Sequence, residues 1–280
     1  MAEFVLRPSR TADRAELAAL WRTAFGDPDD YIDSALDNLW VPENAVVAEA
    51  DGKVVSAMYV LGGIELFPYR RRQLSAGYTY ALATLPEYRG RGIGSAVYKA
   101  ANDRALALFD AACVLPAEPG LYPFYENAGA KRLGCVREAR IARSELAGHT
   151  PGMAARIPVL EYMGIRRQLL AGLPHADLPP EIFEHLEETG TEFFVLEHGL
   201  AAAENENGLC RILELLDPDT EDGMASVTAV ARWCRAEGYL VRTPLFFDGP
   251  GQRRDFTLAV LRDTPDFPIA EDLWWGFGLD

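Results

Sequence analysis

The segment Leu82-Ala-Thr-Leu-Pro-Glu-Tyr-Arg-Gly-Arg-Gly-Ile-Gly-Ser95 constrains this chain more than any other. The extended run Gln73 to Thr84 leads into it, and Ser95 to Phe109 follows with Val97, Ala101, Ala105 and Leu108 near one stripe, a helical spacing. The pattern is strand, basic glycine-rich loop, helix. Glycines at 90, 92 and 94 let backbone N–H groups turn inward with no Cβ in the way. The helix brings the positive end of its dipole to the same space, and Arg89 and Arg91 add charge. The product is an anion site suited to a pyrophosphate. It is not a Walker A loop, which needs Gly-x-x-x-x-Gly-Lys-Ser/Thr. Nor is it the Gly-x-Gly-x-x-Gly of a dinucleotide fold, because Ser95 stands where the third glycine belongs.

The elements around this loop alternate in type. Phe4 to Arg7 reads as a short strand. A helix follows with Leu17, Leu20, Trp21 and Phe25 on its apolar face, and Gly26-Asp27-Pro28 ends it. Tyr31 to Trp40 is a second helix. Ala45–Glu49 and Lys53–Val60 flank Asp51-Gly52, a hairpin signal. In the strand before the loop, period-two alternation puts Tyr78, Tyr80, Leu82 and Thr84 on one face. Ala112–Leu115 is a short strand, Tyr122–Asn127 a short helix ending at Gly129, and Lys131–Ile141 is extended.

Composition excludes other classes. The 280 residues hold 42 acids and 27 bases, net −15, which argues against a nucleic-acid binder. No stretch approaches the roughly 18 uninterrupted apolar residues of a membrane helix, and the first residues lack a signal-peptide pattern. Cys113, Cys135, Cys210 and Cys234 form no C-x-x-C pair, and His149, His175, His185 and His198 show no metal spacing. The expectation is a cytoplasmic protein without a metal.

Two signatures then coincide. Arg89-x-x-Gly92-x-Gly94 after a strand, and Phe124-Tyr125-Glu-Asn-Ala-Gly129-Ala130 some 30 residues on, resemble the two motifs of the GCN5-related N-acetyltransferases (GNATs), with Ala130 replacing the usual Phe. The resemblance covers roughly residues 3–145. It implies an α/β GNAT fold: a mixed, mostly antiparallel sheet with a parallel splay, flanked by helices. It implies acetyl-CoA as co-substrate, lying between the strands that end near Thr84 and Leu115. Leu82, Ala83 and Thr84 map to the backbone that pairs with the pantetheine arm and steadies the oxyanion. Arg89, Gly90, Arg91, Gly92, Ile93 and Gly94 map to the pyrophosphate loop. Tyr125 maps to the acid that protonates the leaving thiolate, with Tyr122 as a nearby competitor. For the base, the resemblance leaves Glu118, in the loop after the short strand, and Asp280. Larger two-part members of the family use the chain's terminal carboxylate.

The second half repeats the element order without the motifs. Helices are expected at Pro158–Leu170 and Pro180–Glu188. Strands are expected at 192–197, 200–204 and 209–216, with a hairpin at Asn205–Gly208, then a helix from Ala225 to Ala236 and two more strands. The counterpart of the basic loop is Asp217-Pro-Asp-Thr-Glu-Asp-Gly223, whose carboxylates repel phosphate. Residues 1–148 carry 19 acids and 17 bases, and residues 149–280 carry 23 and 10. The expectation is an acetyl-CoA-binding unit over 1–148. A degenerate GNAT-like unit over 149–280 then shapes the acceptor pocket or a homodimer face. The acidic balance suits a cationic small-molecule or peptide amine as acceptor. Trp274, Trp275 and Phe277 read as a buried last strand or an interface. The alternative to an N-acetyltransferase is a catalytically silent acetyl-CoA sensor or a protein-interaction module.

Overall fold

A computed structural model describes residues 4–67, 72–218, 223–262 and 273–279. In chain order its first part comprises β1 (Val5–Pro8), α1 (Arg14–Phe25), α2 (Asp29–Asn38), β2 (Val46–Ala50), β3 (Lys53–Phe67), β4 (Leu74–Thr84), α3 (Ile93–Leu108), β5 (Ala111–Val114), α4 (Tyr122–Asn127) and β6 (Lys131–Ala142). The second part comprises β7 (Ala154–Arg156), α5 (Val159–Leu169), β8 (His175–Asp177), α6 (Pro180–Glu188), β9 (Glu192–Leu196), β10 (Leu200–Glu206), β11 (Leu209–Leu216), α7 (Met224–Val230), β12 (Gly238–Thr243) and β13 (Gln252–Leu261).

One sheet crosses both halves in the order β1-β2-β3-β4-β5-β13-β6-β12-β11-β10-β9-β7, with β8 paired to β3. Among the described strands only β4–β5 and β11–β12 are parallel. The last strand, β13, lies between β5 and β6 of the first half, antiparallel to both. Conversely β6 lies between β13 and β12. Each half therefore lends a strand to the other about the central β13–β6 pair. Tyr122, at the start of α4, secures the loan by donating its hydroxyl to the Asp255 carbonyl at 2.7 Å, and Arg132 pairs with the Asp255 carboxylate.

The helices sort by which sheet face their apolar stripe covers. α1, α2, α5 and α6 share one core that runs through both halves and includes Leu17, Trp21, Ile32, Tyr162 and Phe183. α3 and α4 cover the opposite face of the first half through Val97, Tyr98, Ala101 and Tyr125. α7 does so in the second half through Val227 and Val230. It is shorter than the 225–236 pattern suggests, because the chain tightens into turns after Val230.

Leu273 to Leu279 is not a strand. Only Trp274 bridges to His175, yet Trp274, Trp275 and Phe277 are fully buried within the chain. Their aromatic surface is spent inside the fold rather than offered to a partner. The segment is held by a charged node beneath it. Arg166 and Glu214 pair at 2.9 Å at essentially zero exposure, and Tyr162 and the Trp274 indole N–H both donate to the same carboxylate, at 2.7 and 2.6 Å.

A second polar contact joins the halves where α2 meets α6. Ser34 donates to Glu188 at 2.7 Å and sits 2.9 Å from His185 Nδ1. The hydroxyl proton points to Glu188, so Nδ1 carries the ring proton. Buried Nε2 is then a bare acceptor with no partner among the described residues. Burial pushes the imidazole pKa down to about 4, against a smaller opposing pull from Glu188, with the Tyr31 ring 4.9 Å away. The unfolded chain binds this proton from about pH 6.5 downward and the folded one only near 4. Stability should therefore fall as pH drops through that window, by roughly 3 kcal/mol at its foot. Urea midpoints between pH 7 and 4 should show a shallower decline in His185→Leu than in the native chain. Parallel curves would refute the assignment.

Candidate active site

The site begins with a bulge. Across β3–β4 the register runs Ala57↔Ala83 and then Tyr59↔Tyr80, so β4 carries one extra residue. Ala81 absorbs it at φ 51°, a left-handed conformation costing a non-glycine residue about 1–2 kcal/mol. The period-two face breaks here. Tyr78 and Tyr80 pack with Trp21 in the core shared by both halves, while Leu82 turns to the opposite face. The sequence expectation of one continuous face through Thr84 is thereby corrected.

The bulge also ends the pairing with β5. β4 and β5 are in register only at Ala76–Tyr78 with Ala111–Cys113. Next, buried Thr79 donates its hydroxyl to the Cys113 carbonyl at 3.0 Å, replacing a ladder bond at the apex of the V. Beyond that point the strands part around a cavity of about 570 Å³. Its near walls are Met58, Ala81, Leu82, Val114, Leu115 and Tyr125. Leu82 thus lines the cavity directly. Ala83 and Thr84 continue the strand toward the glycine loop, their carbonyls taken by Ser56 Oγ at 2.6 Å and Arg89 Nε at 2.9 Å.

The loop has the expected form. Gly90 and Gly92 lie at φ 73° and 78°, with open space where a Cβ would stand. Gly92 caps the 16-residue α3, whose first N–H groups lack helical partners. Gly94 faces Thr84, and Ile93 anchors the helix start in the core. Arg89 and Arg91 do more than add charge. Arg91 donates to the Glu87 carbonyl at 2.7 Å and lies over the Tyr88 ring, so both guanidinium groups brace the loop while remaining exposed.

Tyr125 and Tyr122 separate cleanly. Tyr125 lines the cavity, edge-on to Tyr98 at 5.0 Å, and its hydroxyl makes no hydrogen bond with a described residue. Burial, reinforced by Tyr98, pushes its pKa up to about 12, so the phenol is protonated throughout the neutral range. Tyr122 is committed to Asp255 and does not line the cavity. Glu118 is exposed just before α4 and is not among the lining residues. Asp280 lies outside the described residues, although the preceding Leu279 is buried and lines the cavity.

The cavity is also lined by residues the sequence did not mark as part of a site. Trp21, Phe25, Asp27 and Tyr31 come from α1, α2 and the turn between them. Glu204, Glu206 and Arg211 come from the β10–β11 hairpin. Asp27 is fixed by the Trp21 indole N–H at 2.8 Å, and Tyr31 and Tyr80 share a hydroxyl–hydroxyl bond at 3.0 Å. Phe25, expected in the core, is 47% exposed at this mouth. An apolar side chain left open at the end of a helical stripe was the available signal. The hairpin gave none, since its approach depends on the sheet crossing both halves.

Residues 5–132 match the family model for the acetyltransferase (GNAT) domain. The first half carries a GNAT domain. GNAT domains use acetyl-CoA as co-substrate, act on amine acceptors and perform acyl-CoA-dependent acetyl transfer. Solved GNAT structures resemble the whole chain in fold. A GCN5-related N-acetyltransferase from Kribbella flavida superposes with a TM-score of 0.66 at 16% identity, covering 96% of this chain and 74% of its own. Eis1 from Mycobacterium abscessus gives 0.65 at 15%, covering 93% and 74%. A tandem GNAT protein from the clavulanic acid biosynthesis pathway gives 0.55 at 14%, covering 92% and 98%. No curated protein matches by sequence. The fold is thus the GNAT fold, in an arrangement shared with a tandem protein.

The second half repeats several of these backbone features. β11 carries an extra residue opposite Ala202–Ala203, β11 and β12 pair only from Leu209 to Ile212, and Gly223 caps α7 at φ 70° as Gly92 caps α3. Gly249 packs on Thr243 and Pro250 on Gly223, so the turn at 249–250 lies against the end of β12 and the start of α7. Asp217 is buried there and accepts from Ser226. The other carboxylates of that loop, Asp219, Glu221 and Asp222, lie outside the described residues. Among the described residues no three His, Cys, Asp or Glu side chains cluster as metal ligands, and no helix is long and apolar enough to cross a membrane.

Proposed function

We propose that this chain is an acetyl-CoA-dependent N-acetyltransferase that acetylates a primary amine of a cationic acceptor by direct attack in a ternary complex. The observation that carries the reading is the polarity of one continuous site. Past the splay β4 runs on to a glycine loop with two exposed arginines, while the cavity that the splay encloses is also lined by Asp27, Glu204 and Glu206. An anionic cofactor suits the loop and a cationic acceptor the carboxylates.

In this reading the pyrophosphate lies on the N–H groups of residues 90–94, and the pantetheine arm runs along Leu82 to Thr84. A main-chain N–H beyond the Ala81 bulge holds the thioester oxygen as it becomes an oxyanion. The neutral amine nitrogen attacks the carbonyl carbon. As the C–S bond breaks, the Tyr125 hydroxyl gives its proton to the thiolate, and the proton shed by the nitrogen leaves through water at the carboxylate end. We assign the second half to the acceptor side: it supplies the hairpin wall.

Calorimetry on the native chain and on Gly92→Glu tests the cofactor site. At φ 78° with open space around it, the substitution strains the backbone without a protein clash and sets a carboxylate where the pyrophosphate would sit. Micromolar acetyl-CoA binding that weakens at least 100-fold in the variant supports the site. Absence of binding by the folded native chain would refute it.

A further inference from the structure

The carboxylates at the acceptor end pose a problem for a simple amine. The attacking nitrogen must be neutral, and a negative field stabilises its protonated, unreactive form. Carboxylates there assist only an acceptor that keeps a second positive charge while the first nitrogen reacts. Two sets are present, on opposite halves of the molecule. Asp27 is held by the Trp21 indole, and the half-exposed Phe25 and Tyr31 line the same cavity, aromatic side chains suited to a cation or its alkyl stem. Across the cavity, β10 presents Glu204 and Glu206. Glu204 pairs with Arg211 at 3.2 Å, whereas Glu206 is exposed and has no ion partner among the described residues.

Resting on the acyl-transfer reading above, we propose that the β10–β11 hairpin determines acceptor specificity: Glu206, with Glu204 behind it, holds a second cationic centre of an acceptor whose first amine lies at the thioester. The substrate class is an amine with at least two positive charges along an alkyl chain. The aromatic wall of Trp21, Phe25 and Tyr31 carries the chain between them. The hairpin lies outside residues 5–132, so selectivity is delegated to the second half.

The test compares 1,4-diaminobutane with n-butylamine, equal in carbon count and different by one charge, using thiol release from acetyl-CoA. The native chain should show a kcat/KM ratio of about tenfold or more in favour of the diamine. Glu206→Gln should bring the ratio down at least fivefold, mainly through the KM of the diamine. Glu206→Lys should lower it further. Glu161→Gln, an exposed carboxylate on α5, should leave it unchanged. Acetyl-CoA calorimetry on each variant confirms an intact fold. A native ratio near one, a ratio unmoved by both Glu206 substitutions, or turnover of neither amine by a chain that binds acetyl-CoA overturns the proposal. Failure of the acyl-transfer reading registers differently, as no thiol release with any amine in a wider screen, with or without heat from acetyl-CoA, and removes the proposal with it.

Discussion

Replacing Glu214 by leucine is expected to destabilise the protein by about 3–5 kcal/mol, because the substitution strands a buried guanidinium. Arg166 is 1% exposed and Glu214 fully buried. Three donors converge on the carboxylate, from Arg166, Tyr162 and Trp274, and Arg166 also donates to the Ala176 carbonyl at 3.1 Å. Removing the acceptor leaves the phenol and indole unpaired and the buried guanidinium with only the partly exposed Asp177, 4.0 Å away, as a charged neighbour. The pair itself is not the source of the whole effect. A double variant, Arg166→Met with Glu214→Leu, should recover part of the loss, since an apolar pair fills the space without a charge. Recovery stays incomplete, because the phenol and indole donors remain. Urea denaturation of the three variants measures both quantities. A single variant within 1 kcal/mol of the native chain would show that water reaches the node. Since the same node holds the segment that ends on the cavity wall at Leu279, the single variant should also weaken acceptor binding more than cofactor binding.

Tyr125→Phe is expected to lower kcat by about 10²- to 10⁴-fold while acetyl-CoA binding changes little. The phenol is the cavity-lining hydroxyl on α4, and deleting it removes one oxygen from a ring already fixed by Tyr98 and Phe124. The pKa, pushed up to about 12, sets the pH behaviour. The acid is intact at every pH where the amine is free to attack, so native activity should climb through pH 9 as the amine deprotonates, with no fall assignable to tyrosine below about pH 11. Stopped thiol-release assays across pH 6–10 on both proteins separate an enzyme from a silent binder. Equal kcat in the variant would move the proton source elsewhere. A native chain that binds the cofactor and never turns it over would favour the sensor.

Much of this was legible in the chain, and the limits have physical causes. The turn at 89–94 was visible because left-handed positions ahead of a helix call for glycines at fixed spacing, and the cavity-lining place of Tyr125 because a short aromatic helix follows at a fixed interval. The helical stripes of α1 and α6 and the Asp51-Gly52 hairpin were visible because local periodicity determines them. The bulge at Ala81 was not, since alanine carries no mark of a left-handed conformation and only the mismatch with β3 imposes it. The part of the cavity lined from the second half was invisible for a similar reason. Glu204 and Glu206 flank an ordinary hairpin turn, and nothing local says that the hairpin faces Trp21. The acidic excess of the second half hinted at the chemistry without locating it.

The strand loan between halves has a consequence for how the chain is made. β5 and β6 are complete by Ala142, but the strand that joins them begins at Gln252. About 110 residues separate the two points, so at roughly 5–20 residues per second the ribosome needs about 5–20 seconds to deliver the missing strand. Until it arrives the nascent first half presents the unpaired edges of β5 and β6, the kind of surface that recruits wrong partners. Yield in the cell should therefore depend on translation speed through 143–251 and on chaperones that shield strand edges, more than on the equilibrium stability of the finished protein.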